Sequence, residues 1–310
     1  MEKYITKTSV VATLALLCCA LWGSAFPAVK VGYELFEITT VGSQILFAGY
    51  RFFIAGVLTL LLACLFEKKF VTFKKSSFWF ILGQGVLQTT IQYFFFYVGM
   101  ANTTGAKGSV INAANGFVAI VAACFLIENE KMTWKKIIGC NVGFSGVIVI
   151  NLAPGAWGTG FSIAGEGMIL ICSIAYGISS VTLKMISSKE KPMTLTAYQL
   201  IFGSVILIVI GLAFGGRITN FTVASTCLLG YMALLSTIAF SIWTILLKYN
   251  PVSKVTVFGF SIPVFGVAFS GIFLKEAIFV PKNMIALALV CAGIIIVNYS
   301  KQTKQALTSK

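Results

Sequence analysis

Histidine and aspartate are absent from this 310-residue sequence, and all nine of its acids are glutamate. That removes histidine-based catalysis, histidine metal ligation and any aspartate proton relay together. Charge of either sign is scarce: charged types make up 10% of the chain against 58% apolar types, far from the soluble norm. No Cys-x-x-Cys spacing occurs. The eight cysteines (Cys18, Cys19, Cys64, Cys124, Cys140, Cys172, Cys227 and Cys291) lie within apolar runs and read as small hydrophobes, not as redox or metal centres. The string GFSG (143–146) has the serine spacing of intramembrane proteases, but such a serine needs a base, and no histidine supplies one. GQG (83–85) lacks the third glycine of a dinucleotide loop, and no phosphate-binding P-loop exists. The sequence therefore points to no enzyme, cofactor or metal site, and to no ATP-driven pumping within the chain.

What is present is a succession of apolar runs near the ~20 residues that cross ~30 Å of hydrocarbon. They fall at roughly 10–31, 41–66, 76–100, 105–127, 134–152, 162–187, 194–214, 222–248, 252–274 and 282–299. Hydrocarbon forces each backbone group to find an internal partner, so the fold class is all-α integral membrane, with ten transmembrane helices. The first run follows Lys3 and Lys7 like a signal peptide, but it is long and lacks a small-x-small cleavage site, so it reads as a retained helix.

The net charge of +14 sits in short loops, which makes it a topology signal and not a nucleic-acid surface. The N-terminus, loops 67–75, 128–136, 184–193 and 248–254, and the C-terminus together hold 17 basic residues. The opposite loops hold five: Lys30, Lys107, Arg217, Lys275 and Lys282. Both termini are therefore expected in the cytoplasm of a multi-pass protein of the cell's inner membrane. The implied partners are the lipid bilayer and a small-molecule substrate, with the protein a monomer or homodimer.

The two halves resemble each other. CCALWGSAFPAVK (18–30) lies over CSIAYGISSVTLK (172–184) at an offset of 154, which puts Trp22 on Tyr176. GVIVIN (146–151) lies over GIIIVN (293–298) at an offset of 147, as Lys107 does over Lys254. Five spans per half is an odd number, so the second half enters the membrane from the other side, an inverted repeat of the kind secondary transporters use. The expected division is 1–153, 161–301 and a cytoplasmic tail, 302–310.

In the order of its motifs the chain resembles the drug/metabolite transporter superfamily, in its ten-helix EamA-like branch. The residues are ALWGSAFPAVK in the first span, AGYRFFIAG (48–56) in the second, LIENEKMTWKKIIGCNVGFSGVIVI closing the first half and FLKEAIFVPKNMIALALVCAGIIIV closing the second. The resemblance implies a metabolite exporter or facilitator with a central cavity lined by both halves. Family members usually carry a proline in the fourth helix, as Pro263 stands in the ninth; here that place reads ANGF (114–117). Small multidrug exporters of the superfamily use a glutamate in their first helix, and this first span has none.

Polar groups inside spans are costly and hence informative. Gln84, Gln88 and Gln92 recur every four residues on the third span, a step that drifts about 40° around a helix and so draws one narrow stripe. At offset 147 their mates are Tyr231, Leu235 and Ala239, so the stripe is not repeated. The stripe is either a wall of the substrate cavity or interhelical glue worth about 1 kcal/mol per bond. Asn112 and Asn115 share one face of the fourth span and are expected on the same cavity. Trp22, Tyr176 and Trp243 are candidate aromatic contacts for the apolar part of a substrate. Lys107 and Lys254 open the fourth and ninth helices, where a cation opposes the macrodipole and an anion would relieve it, making them candidate gate or anion contacts. Arg51, the one arginine inside a span, reads either as an anion holder or, as the resemblance suggests, as architecture. Every glutamate lies at or near a span end; Glu166, just inside the sixth, is the remaining candidate for proton coupling. The reading is a carrier that exports or facilitates movement of a neutral, zwitterionic or amphipathic metabolite, such as an amino acid. A proton-coupled antiporter of the same fold is the alternative, and a membrane-embedded enzyme or a receptor scaffold are the readings from other classes.

Overall fold

The computed structural model describes residues 5–126, 132–151, 161–186, 190–250, 255, 257–277 and 280–308. Among these, all regular structure is helical: ten main segments, with a short 3-10 turn (Lys75–Ser77) ahead of the third. They are α1 (Thr8–Leu35), α2 (Val41–Glu67), α3 (78–101), α4 (Gly105–Leu126), α5 (Trp134–Asn151), α6 (Ile163–Ile186), α7 (Pro192–Ala213), α8 (Val223–Tyr249), α9 (257–274) and α10 (Pro281–Thr308). Six of them are long and apolar enough to cross a membrane by length and composition alone. Several begin where the sequence offers a hydroxyl to the orphan N–H groups of a first turn. Thr40 accepts from Ser43 N, Thr104 from Lys107 N and Ser162 from Gly165 N; Thr222 and Ser225 exchange both bonds of a capping box.

The halves are interwoven. α2 packs along α7, and α5 along α10, each helix against its own counterpart. α1 packs on α8 and α9, and α6 makes the equivalent contacts with α3 and α4. The lead helix of each half is thus embedded in the other half. The repeated glycine motifs show why the duplication holds. A Cβ on Gly146 of α5 would stand 2.6 Å from the Ala286 carbonyl of α10, and one on Gly293 of α10 would stand 2.5 Å from the Gly139 carbonyl of α5. At offset 147 these two close approaches are the same contact made twice. Where lipid removes the hydrophobic drive between helices, backbones this close supply the packing.

Two helices that reach the centre of the molecule are irregular. α4 breaks at Ala113 although it has no proline there. The Ser173 hydroxyl of α6, which donates to its own helix at the Ile169 carbonyl (2.8 Å), lies 3.5 and 3.4 Å from the Ile111 and Asn112 carbonyls beside the break. At offset 147 Ala113 corresponds to Phe260, where α9 passes from a 3-10 turn (Val257–Phe260) into its α-helix (Ser261–Leu274). α3 runs as Phe78–Gly85, then a π turn over Val86–Ile91, then Gln92–Ala101. That turn, with its i→i+5 bonding, interrupts the 3.6-residue period on which the glutamine stripe depends.

Candidate functional site

Where the halves meet there is a cavity of about 60 Å³. α1 contributes Trp22, Ala25 and Phe26; α2 contributes Arg51; α3 contributes Gln92, Tyr93 and Phe96; α4 contributes Asn112 and Asn115. From the second half come Tyr176 of α6, Phe240 of α8 and Ile262 of α9. At ~30 Å³ per water in the liquid, this conformation has room for only a few waters. Half of the lining residues are aromatic, and the amides and the guanidinium come from α2, α3 and α4.

The three glutamines part company. Gln84 donates from Nε2 to Gln88 Oε1 at 2.8 Å and to the Ser179 carbonyl of α6 at 3.0 Å, while its Oε1 accepts the Thr182 hydroxyl at 2.7 Å. Gln84 and Gln88 are buried and lie outside the cavity lining; they tie α3 to α6. The straight stripe drawn from a uniform α-helix therefore does not form as one wall, because the π turn lies between its first and last members. Gln92, beyond that turn, lines the cavity, and its Oε1 is buried without a hydrogen-bond partner. Five other buried side-chain polar atoms among the described residues are also unpartnered, and none of them is on the cavity wall.

Trp22, Tyr176, Asn112 and Asn115 join Gln92 on the cavity. Asn112 Oδ1 also lies 3.5 Å from the Ser173 hydroxyl, so this side chain both lines the cavity and packs on α6 beside the break in α4. Trp243 stands one layer back, edge-on to Trp22 with ring centroids 5.0 Å apart, and Phe240 meets the same indole at 5.6 Å.

The fourth-helix N-terminus is already served by anions from within the chain. Glu276, beyond the end of α9, accepts from Gly105 N at 2.7 Å and Ala106 N at 2.9 Å, as the macrodipole favours. Lys107 pairs with Glu166 at 2.8 Å, and the same carboxylate accepts the Thr103 hydroxyl at 2.7 Å and Ser162 N at 2.6 Å. Lys107 and Glu166 thus form a clamp between α4 and the start of α6, away from the cavity lining. Lys254 lies outside the described residues.

The sequence reading passed over Phe26, Tyr93, Phe96, Phe240 and Ile262 as cavity residues. Helical spacing could have found two of them: Phe26 follows Trp22 by four residues, and Phe240 precedes Trp243 by three. Arg51 is 2% exposed and is fixed by bonds from Nε to the Met232 carbonyl (3.2 Å) and Ser236 Oγ (3.1 Å), and from Nη1 to Tyr97 OH (3.0 Å). These bonds join α2 to α8 and α3, and Arg51 also forms part of the cavity wall.

The EamA-like transporter family matches this sequence twice, over residues 10–152 and 163–299. The chain belongs to the EamA-like transporter family. It is therefore a multi-pass membrane transporter of the secondary class built from duplicated halves, and not an enzyme. A relative from Archaeoglobus fulgidus, described as an uncharacterized transporter, is 27% identical over 91% of this chain and 96% of its own length. An uncharacterized transporter from Acidianus ambivalens is 30% identical over 70% of this transporter and 79% of that protein. A protein of Streptantibioticus cattleyicolor, described as "Probable terminal-alkyne amino-acid exporter", is 24% identical over 94% of both chains. A solved crystal structure matches the transporter's fold with a TM-score of 0.71 at 15% identity, over 95% of this chain and 98% of that one.

Proposed function

We propose that this transporter moves a small zwitterionic or amphipathic metabolite, an amino acid or a close relative, outward across the cell's inner membrane by alternating access. The cavity between the halves carries the reading: aromatic walls for an apolar side chain, amides on one side for a polar head, and no glutamate among its lining residues. The Streptantibioticus relative, whose description names an amino-acid exporter, supports the same substrate class. In the present conformation the cavity has room for a polar head group, and admitting a whole amino acid requires the two halves to rock apart. Both termini face the cytoplasm, as the lysine-rich loops favour.

Transport is facilitated and does not exchange protons. Glu166, the candidate for proton coupling, is held by Lys107, Thr103 and Ser162 and is not among the lining residues. The test is uptake into proteoliposomes across a panel of amino acids and related metabolites, with and without a pH gradient. We expect apolar amino acids to equilibrate without a gradient, at rates flat between pH 6 and 8. Strict dependence on the gradient contradicts the facilitator, and no flux of any amino acid contradicts the substrate class.

A further inference from the structure

We infer that Arg51 and Gln92 form the head-group site of this cavity, Arg51 taking the α-carboxylate and Gln92 Oε1 the α-ammonium of the substrate. This deepens the amino-acid reading above and rests on it.

An arginine presents five N–H donors and stays charged at any physiological pH. Arg51 engages two of them, Nε–H on Met232 and Ser236 and one Nη1–H on Tyr97. The remaining N–H on Nη1 and the pair on Nη2 have no hydrogen-bond partner, and no carboxylate among the described residues pairs with the side chain. A guanidinium that is 2% exposed and has no counter-ion is expensive in a membrane interior. It stands on a cavity wall, where an arriving carboxylate neutralises it and meets its planar fork in a bidentate pair. The three bonds to α8 and α3 hold the guanidinium in place before any ligand arrives, so little ordering is left for binding to impose.

Gln92 supplies the opposite complement. Its Oε1 is a buried acceptor with no donor, on a side chain that lines the same cavity. An ammonium brings three donors and no acceptor, which fits an orphan oxygen. Phe52, next to Arg51 in sequence, packs on Tyr93, next to Gln92, with ring centroids 3.9 Å apart, so the two groups come from facing stretches of α2 and α3. A zwitterion satisfies both at once. An amine without a carboxylate leaves Arg51 uncompensated, and an acid without an amine leaves the Gln92 oxygen orphaned.

The test uses wild-type proteoliposomes and three analogues of each of two amino acids. Leucine and phenylalanine are measured by counterflow in competition with their decarboxylated amines (isoamylamine, phenethylamine), their amides and their deaminated acids (4-methylpentanoate, 3-phenylpropanoate), and with unlabelled parent. We expect the amines and amides to compete about ten- to a hundredfold more weakly than the parent, the cost of losing a charged hydrogen bond, and the acids to lose about tenfold. Gln92→Leu is expected to remove the preference for parent over deaminated acid while the preference for parent over amine persists. Amines or amides competing as well as the parent overturns the role of Arg51, and acids competing as well overturns that of Gln92. If neither parent is transported while other amino acids are, an apolar-side-chain site of this form is contradicted. If no amino acid is transported, the amino-acid reading fails and takes the inference with it. Testing ligands on the intact protein avoids relying on an Arg51 variant, which would also lose the bonds that join α2 to α8 and α3.

Discussion

Gln84 and Gln92 stand eight residues apart on one helix, both buried, and end in opposite circumstances. Gln84 has partners at both ends of its amide, on its own helix and on α6. Gln92 keeps a buried oxygen without a partner, on the wall of the cavity. The residue type is identical and the burial nearly so; what differs is what faces each amide. A buried polar group that is satisfied holds helices together, whereas one left unsatisfied in a cavity awaits a ligand.

The comparison can be broken in four ways, in order of size. The largest concerns the backbone beside Gln84. A Cβ on Gly85 would stand 2.7 Å from the Gln199 carbonyl of α7, a contact that cannot yield without moving the helix. Gly85→Val is expected to destabilise by about 3 kcal/mol or more and to sharply reduce the yield of monodisperse protein on size exclusion. Next comes Gln92→Leu. Removing an acceptor that has no partner costs little stability, so its melting temperature should match the parent while amino-acid flux falls about tenfold or more. Then Gln84→Leu: Gln88, Thr182 and the Ser179 carbonyl each lose a partner, so thermal unfolding in detergent should register a loss of about 1–2 kcal/mol. Flux per folded molecule should stay within about twofold of the parent. The smallest is Gly83→Ala, one residue before Gln84, where a Cβ meets nothing within 4 Å. A helix-favouring change into open space should leave both flux and melting temperature unchanged or raise the latter slightly.

Much of the architecture was legible in the sequence, because apolar run length, loop lysines and the order of repeated motifs are set by the membrane and by gene-level duplication, not by fine packing. Trp22 and Tyr176 could be placed opposite each other by the same offset that aligned the halves. The glutamine stripe was legible only in part. A uniform period of 3.6 carries Gln84 into Gln92, and nothing in VLQTTI marks it as a π turn. The lack of a repeated stripe in the second half also proved a weaker guide than its logic suggests. Tyr231, the mate of Gln84, bonds through its hydroxyl to Ser24 of α1 at 2.6 Å, just as Gln84 bonds to α6. The interhelical bond to the opposite lead helix is kept at that position with different chemistry, so a structural contact can survive duplication while its residues do not. Lys107 and Glu166 were each readable as charges at a span end, but their pairing depends on a contact between the starts of α4 and α6, 59 residues apart, that no local pattern announces. Arg51 was visible as a lone buried cation; that it borders the cavity follows only from how α2, α3 and α8 pack.

The most direct test of the account compares Gln92→Leu with Gln84→Leu in one experiment: counterflow of a labelled apolar amino acid into proteoliposomes, normalised to folded protein. The account predicts that Gln92→Leu loses about tenfold or more of the flux at parental stability, while Gln84→Leu keeps its flux and loses stability. Full flux in Gln92→Leu, or flux abolished in a stable Gln84→Leu protein, would contradict it.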